Sequence, residues 1–111
     1  MIGKISTKAD FIAMYSGARV AANELGAKYN IEINIDWRTP KVEKVQEQAA
    51  IIKRFSSSGA GGIAISCIEA NYLTPIINKA VDKGTPVICF DSDAPKSKRC
   101  PIKSRKVDFR C

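Results

Sequence analysis

Hydrophobic positions along the chain follow two spacings, every second residue and every three to four residues, which are typical of strands and helices respectively. The pattern predicts four short strands that alternate with three helices over residues 1–95. The predicted strands cover residues 1–6, 30–37, 62–66 and 87–91, and the predicted helices cover about residues 11–25, 40–55 and 71–83. This alternation indicates an α/β fold built from βαβ units.

Each predicted helix is bounded by residues that start or stop helices and has one apolar face. Asp10 is a candidate N-cap and Gly26 a stop for the first helix, Thr39 followed by Pro40 starts the second, and Gly84 ends the third. The residues predicted to face the core are Phe11, Met14, Tyr15, Ala18, Ala22 and Leu25 in the first helix, Val42, Val45, Ala49 and Ile52 in the second, and Leu73, Ile76, Ile77, Ala80 and Val81 in the third.

The predicted strands form a parallel sheet, because right-handed crossovers join them through helices on both faces, giving three layers. The second strand alternates isoleucines with polar residues, which favours an edge position and the strand order 2-1-3-4. The fourth strand, 87–90, is apolar throughout and resembles a central strand, although this order makes it an edge. We therefore expect an incomplete domain whose open edge pairs with another strand, for example in an edge-to-edge homodimer.

Charge divides the chain at residue 96. Of the 18 basic and 11 acidic residues, seven basic and one acidic lie in residues 96–111, so the body carries 11 and 10. We expect residues 1–95 to form the folded lobe and residues 96–111 to be a basic, disordered tail. Because the body is almost neutral, the net charge of +7 does not predict a nucleic-acid partner. No apolar run approaches the ~20 residues that insert into a membrane, and no export signal precedes the first strand.

The cysteines and glycines do not form a recognised catalytic or metal-binding motif. Cys67, Cys89, Cys100 and Cys111 lack the spacing of metal ligands, and the chain has no histidine, so no metal or other cofactor is predicted. Cys89 is predicted in the core, Cys67 either packed or near a site, and the other two exposed. The glycines of residues 59–62 precede a strand and do not open a helix, unlike a phosphate-binding loop. A serine nucleophile would have no histidine to activate it.

Candidate ligand-binding residues follow the carboxyl ends of the strands, where open parallel sheets bind ligands. They are Asp10, Phe11, Ser66, Glu69, Asn71, Asp91, Ser92 and Asp93. One aromatic ring with carboxylates, hydroxyls and amides suits a neutral polyhydroxylated molecule. The alternatives are that Asp10 and Asn71 are N-caps, that residues 91–93 are a polar turn, and that Phe11 belongs to the core. A magnesium or phosphotransfer site is disfavoured because the first strand lacks an acidic pair.

Several segments in this order resemble a known family. They are Ala-Asp-Phe, Gly-Ala-Arg-Val-Ala-Ala-Asn-Glu-Leu-Gly, Val-Glu-Lys-Val-Gln-Glu-Gln, Gly-Gly-Ile-Ala-Ile-Ser, Leu-Thr-Pro-Ile-Ile-Asn-Lys-Ala and Gly-Thr-Pro-Val-Ile-Cys-Phe-Asp-Ser-Asp-Ala-Pro. Together they resemble the N-terminal lobe of the type I periplasmic sugar-binding proteins, the ribose-binding group, over residues 1 to about 99.

The resemblance implies a non-enzymatic protein that holds a small sugar between two similar lobes and delivers it to the permease of an ABC importer. By position, Phe11 resembles the aromatic residue that stacks on the sugar, and Ser66 and Asp91 resemble its polar contacts. Ser92 stands where the family frequently has arginine, and Lys8 lies near a position often occupied by asparagine. A periplasmic or extracellular location is implied for the full-length family member.

The chain stops where the family continues into a second lobe, so we expect a truncated protein that carries half of the sugar site. Two alternatives come from other classes of protein. The same fold serves as the sugar-sensing lobe of transcription repressors and receptor kinases. A stand-alone flavodoxin-like enzyme is disfavoured because the chain has neither a phosphate-binding loop nor histidine.

Overall fold

The computed structural model describes residues 1–101, which contain three helices and two short strands and end in one βαβ unit. In chain order these elements are α1 (Ala9–Tyr29), α2 (Val45–Ser57), β1 (Ile63–Ile65), α3 (Ala70–Asp82) and β2 (Val87–Cys89). No helix in this part of the chain is long and apolar enough to span a bilayer.

The sheet is parallel, as predicted. β1 and β2 pair with Ile63 opposite Val87 and Ile65 opposite Cys89. Ile2 adds a single parallel bridge to Ile65 on the other side of β1. Its N–H donates to the Ala64 carbonyl at 2.8 Å, and its carbonyl accepts from the N–H of Ser66 at 2.9 Å. Backbone hydrogen bonds thus place the first segment next to β1.

Residues 36–38 lie beside the first residue of the chain. The terminal amino group donates to the Asp36 carbonyl at 2.9 Å, and the Arg38 N–H donates to the Met1 carbonyl at 3.2 Å. The lateral order is therefore residues 36–38, residues 1–3, β1 and β2, which confirms the order 2-1-3-4. The first two strands were predicted at residues 1–6 and 30–37. This prediction is wrong in extent, because neither segment forms a regular strand. Ile31 and Ile33 are exposed, so the alternating pattern there has no buried face to match it.

The core lies on one face of the sheet, where α2 and α3 pack against it. The alternate strand residues Ile63, Ile65, Val87 and Cys89 are buried and belong to a cluster with Ala49, Ile52, Phe55, Leu73, Ile77 and Ala80 of the two helices. Burying apolar side chains on both sides of this interface supplies ~25 cal/mol per Å² of apolar surface removed from water. Most of the inward positions predicted for α2 and α3 are correct.

The opposite face of the sheet is less well covered. Ala64 and Ile88 line an open cavity of about 810 Å³ together with Ala18 of α1. α1 buries Phe11 and Ala22, but Leu25, which was predicted to face the core, is exposed. The predicted inward face of α1 is therefore only partly correct.

An aromatic contact attaches α1 to the segment beside the sheet. The rings of Tyr15 and Trp37 stack with centroids 5.0 Å apart and planes 29° apart. Offset stacking of this kind contributes ~0.5–1.5 kcal/mol beyond simple burial. The contact lies between α1 and residues 36–38, and so links the helix to the outer side of the sheet.

Both predicted ends of α1 differ from the structure. The N-cap is Lys8, with Asp10 in the first turn, where a carboxylate favours the positive end of the helix dipole. The helix continues through Gly26 to Tyr29 and ends at Asn30, whose φ of 54° is left-handed. Gly26 is nevertheless required, because a Cβ there would lie 2.7 Å from the Ile31 carbonyl oxygen.

The predicted helix start at Thr39 and Pro40 is wrong because these residues bind the first segment of the chain. The Thr39 hydroxyl accepts from the Gly3 N–H at 2.8 Å, and the Pro40 carbonyl accepts from the Ser6 N–H at 2.7 Å. The helix begins later, at Val45. Val42, which was predicted to face the core, lies before the helix and is exposed.

The segment from residue 96 to residue 101 packs against the body, so the prediction of an unpacked tail is wrong for this part. The Lys98 N–H donates to the Asn78 side chain at 2.7 Å, and the Cys100 N–H donates to the Val87 carbonyl at 2.7 Å. Cys100, predicted to be exposed, is buried. Part of the outer edge of β2 is thereby occupied, and the edge-to-edge homodimer stays a prediction. Residues 102–111, including Cys111, lie outside the described residues.

Asp93 and Arg99 fasten this segment by a two-point ion pair. The Arg99 Nη2 donates to Asp93 Oδ2 at 2.7 Å, and Nε donates to the other carboxylate oxygen. The Ala94 N–H also donates to Asp93, at 2.7 Å. The hydrogen bonds from Arg99 hold the pKa of Asp93 below its ordinary value. Such bidentate pairs fix geometry as well as contributing energy.

A buried glutamine connects the first segment, β1 and the loop that follows β1. Gln48 on α2 has no solvent exposure. Its Nε2 donates to the carbonyls of Gly3 and Ser66, both at 2.8 Å, and its Oε1 accepts from the Ile68 N–H at 3.0 Å. The Gln48 amide thus makes three hydrogen bonds to the backbone. They hold together segments that have little strand pairing of their own.

Replacing Gln48 with leucine should lower the free energy of unfolding by about 3 kcal/mol, because it leaves two carbonyls and one N–H buried without partners. Urea denaturation followed by circular dichroism measures the change. Gln46→Leu, on the exposed side of the same helix, is the matched control and should change stability by less than about 0.5 kcal/mol. Equal unfolding midpoints for the two variants would contradict this role of Gln48.

The Asp93–Arg99 pair should make stability depend on pH. Because the folded-state pKa of Asp93 is lowered, its contribution is present above the unfolded value of ~3.9 and disappears as pH falls through the folded value. The carboxylate is about half exposed, so Asp93→Asn should cost less than about 1 kcal/mol at pH 7, and this cost should shrink as pH falls below ~3.9. Thermal melts across this range test the prediction, with exposed Glu43→Gln as control. A constant difference between Asp93→Asn and the unmodified protein at all pH values would refute it.

Candidate functional site

Asp91, two residues beyond the end of β2, is the centre of a polar cluster at the carboxyl edge of the sheet. The Ser66 hydroxyl donates to Asp91 Oδ2 at 2.9 Å, and the Ser92 hydroxyl lies 3.5 Å from the same oxygen. The Lys4 ammonium is 3.9 Å from it. Three predicted site residues, Ser66, Asp91 and Ser92, are therefore brought together by the fold.

The backbone makes a tight turn at Asp91. Its φ is 60°, in the left-handed region that aspartate tolerates better than most residues, and the Ser92 N–H donates to the Phe90 carbonyl at 2.6 Å across the turn. The Asp91 side chain is 40 % exposed. Within residues 1–101 no hydrogen bond reaches its Oδ1, so this oxygen is available to accept one from a ligand.

Both the backbone and the hydroxyl of Ser66 are held by hydrogen bonds. It is fully buried; its N–H donates to the Ile2 carbonyl and its own carbonyl accepts from Gln48. These bonds fix the backbone, and the bond to Asp91 fixes the hydroxyl. The carboxylate position is thus set by the main chain of β1 as well as by its own turn.

Three other predicted site residues lie apart from this cluster. Lys8, Asp10 and Asn71 are exposed. In the described part of the chain no hydrogen bond or ion pair joins any of them to Asp91. The alternative role of Asn71 as an N-cap is wrong, because α3 begins at Ala70. Their participation in ligand binding stays a prediction.

Phe11 is buried at the start of α1 and is 4 % exposed. A Cβ at Gly3 would lie 3.0 Å from atoms of both the Phe11 and Trp37 rings, so glycine is needed for the first segment to pass these rings. The burial fits the alternative that Phe11 belongs to the core. Its role as a ring that stacks on a ligand stays a prediction.

Lys4 and Gln48 were not among the residues predicted from the sequence. The bridge between Ile2 and Ile65 places Lys4 beside the end of β1, so the rule that led to Ser66 applied equally to the end of the first strand. Gln48 is a polar residue at helical spacing on the apolar face of α2. A polar side chain in such a position must find buried partners, which was the available signal.

Two free cysteines lie beneath the cluster. Cys67 and Cys89 are buried with their sulfur atoms 3.9 Å apart, and Cys89 belongs to the core as predicted. The hydrogen bond with Cys89, together with burial, raises the pKa of Cys67 above its ordinary value. Among the described residues, no three cysteine or acidic side chains are grouped so that they could hold a metal ion.

A small cavity opens beside the cluster at the end of β2. Its volume is about 210 Å³, and Cys89, Phe90, Asp91, Asp93 and Arg99 line it. The Asp93–Arg99 pair forms one wall, and the loop that holds Asp91 forms another. Cys89 thus borders the cavity although its side chain is largely buried.

Solved structures with the same fold include several proteins described as sugar-binding. One is a sugar ABC transporter's sugar-binding protein from Bacillus halodurans, with 31 % identity, a TM-score of 0.76, and coverage of 90 % of this chain and 32 % of that one. AraP, an arabinose-binding protein from Geobacillus stearothermophilus, has 33 % identity and a TM-score of 0.79, and the match covers 90 % of this chain and 32 % of AraP. GanP, a glucose-galactose-binding protein from the same organism, has 26 % identity and a TM-score of 0.78, and the match covers 89 % of this chain and 34 % of GanP.

The present chain spans about a third of the length of these proteins. The resemblance found in the sequence is confirmed by these structures and by the family match. The periplasmic binding protein domain family matches residues 1–102, which is nearly the whole chain, and the chain therefore belongs to that family.

Proposed function

We propose that this chain binds a small neutral sugar as part of the solute-binding protein of an ABC importer, and that it supplies one half of the site. The observation that carries the proposal is the open carboxylate of Asp91, held by Ser66 at the carboxyl edge of the sheet. Ligands of open parallel sheets bind at this edge. The names of the similar proteins, which refer to arabinose, glucose and galactose, support the same class of ligand.

The charges of the cluster favour a neutral ligand. Asp91 carries one negative charge and Lys4, 3.9 Å away, carries one positive charge, so the pair leaves little net field. Asp91 Oδ1 can accept from a sugar hydroxyl while Oδ2 is held by Ser66. The Lys4 ammonium and the Ser92 hydroxyl are suitable donors to a second sugar oxygen.

Binding by this chain alone should be weak. Asp91 is 40 % exposed, so a hydrogen bond to a sugar would compete with water. A second lobe that closes over the sugar would exclude this water and add further contacts. With one lobe only, we expect a dissociation constant near millimolar, which corresponds to about 4 kcal/mol.

In this proposal the protein binds the sugar and does not catalyse a reaction, and its protein partner is the permease of the importer. The family and the similar structures are binding proteins. A full-length protein of this kind would act in the periplasm or outside the cell. The alternative, a sensing lobe of a repressor or receptor kinase, stays a prediction; an adjoining DNA-binding or kinase domain would distinguish it from a transporter component.

Titration of the ¹⁵N-labelled chain with arabinose, ribose, glucose and galactose tests the sugar site. At least one sugar should shift the amide signals of Ser66, Asp91 and Ser92, with a dissociation constant of roughly 1 mM or weaker. Asp91→Asn should weaken binding at least about tenfold, because it replaces a charged acceptor while keeping a residue that accepts a positive φ.

Asp82→Asn is the matched control, since Asp82 is an exposed carboxylate at the other end of α3 and should leave binding unchanged. The proposal fails if no sugar shifts these signals up to about 100 mM, or if both variants weaken binding equally. Micromolar binding by the monomer would refute the half-site and indicate a complete one.

A further inference from the structure

The two free thiols are placed as a reactive pair. Cys67 lies just beyond β1 and Cys89 ends β2, and both side chains belong to the same buried cluster. Their sulfur atoms are 3.9 Å apart, whereas a disulfide bond is ~2.05 Å long. The sulfur atoms must therefore approach by about 1.9 Å for a bond to form between them.

The two sulfur atoms differ in access and in charge stabilisation. Cys89 is among the residues that line the 210 Å³ cavity beside Asp91, whereas Cys67 is not. Hydrogen bonds from Cys67 and from the Ala94 N–H lower the pKa of Cys89, while the pKa of Cys67 is raised. The cysteine beside the cavity is thus also the one that more readily becomes a thiolate, which is the nucleophilic form.

We propose that Cys67 and Cys89 form a redox-active dithiol that reacts with small organic disulfides entering the cavity at the end of β2. The Cys89 thiolate attacks one sulfur of the disulfide, a bond forms between Cys89 and that sulfur, and the other half leaves as a thiolate. Cys67 then gives its proton to the departed thiolate and attacks the Cys89 sulfur, which breaks the mixed disulfide and releases the second half as a thiolate that takes a proton from water. The two cysteines are oxidised to one disulfide, and the small disulfide is reduced to two thiols.

Oxidised glutathione is a suitable probe, and peptide mapping identifies the product. The full chain is incubated with it, remaining thiols are alkylated, and the protein is digested with trypsin. Cleavage after lysine and arginine places Cys67 in the peptide 55–79 and Cys89 in the peptide 84–96. The proposal predicts a disulfide between these two peptides and two molecules of reduced glutathione for each one formed.

Single variants test the order of attack. Cys67→Ser should accumulate a mixed disulfide of glutathione on peptide 84–96, because no second thiol resolves it. Cys89→Ser should leave Cys67 available to alkylation only after denaturation. Circular dichroism checks that both variants are folded.

The unmodified chain decides the matter even if a variant does not fold. The proposal is overturned if Cys67 and Cys89 stay reduced in the native protein while the same reagent modifies them in urea. It is equally overturned if the two cysteines are found linked to other cysteines and not to each other. Neither result depends on sugar binding.

Discussion

The arrangement of the sheet depends on the buried amide of Gln48. A polar side chain without solvent exposure is costly unless its hydrogen bonds are made, and here Gly3, Ser66 and Ile68 supply them from three parts of the backbone. The first segment makes only one bridge to β1, so it has little pairing of its own. A helix side chain therefore performs the joining that a longer strand ladder performs in larger sheets.

The candidate site follows from the same constraint. Gln48 holds the Ser66 carbonyl, the Ser66 hydroxyl holds Asp91, and the left-handed turn at Asp91 leaves one carboxylate oxygen open. A ligand would thus meet a carboxylate that is already oriented, with little conformational entropy left to lose. The link runs from the buried face of α2, through the end of β1, to the exposed end of β2.

Burial explains which parts of the fold could be predicted from sequence. β1, β2, α2 and α3 were predicted because their apolar positions report contacts that form. Residues 30–37 have an equally clear alternation, but Ile31 and Ile33 face no core, so the pattern alone overestimated the strand. Thr39 has the chemistry of an N-cap and uses it instead to accept a hydrogen bond from Gly3, a distant partner that no local rule identifies.

The candidate site was predictable only as far as strand ends could be located. Ser66 and Asp91 follow the two well-predicted strands, and they meet. Asp10 and Asn71 follow the same rule but project from helices, so proximity along the chain did not bring them to Asp91. Lys4 was missed because its segment has almost no strand structure, yet its charge offsets that of Asp91. The ammonium offsets the charge of the carboxylate, and the two hydroxyls add hydrogen-bonding groups. A neutral ligand that forms hydrogen bonds is therefore expected at this edge, in preference to a charged one.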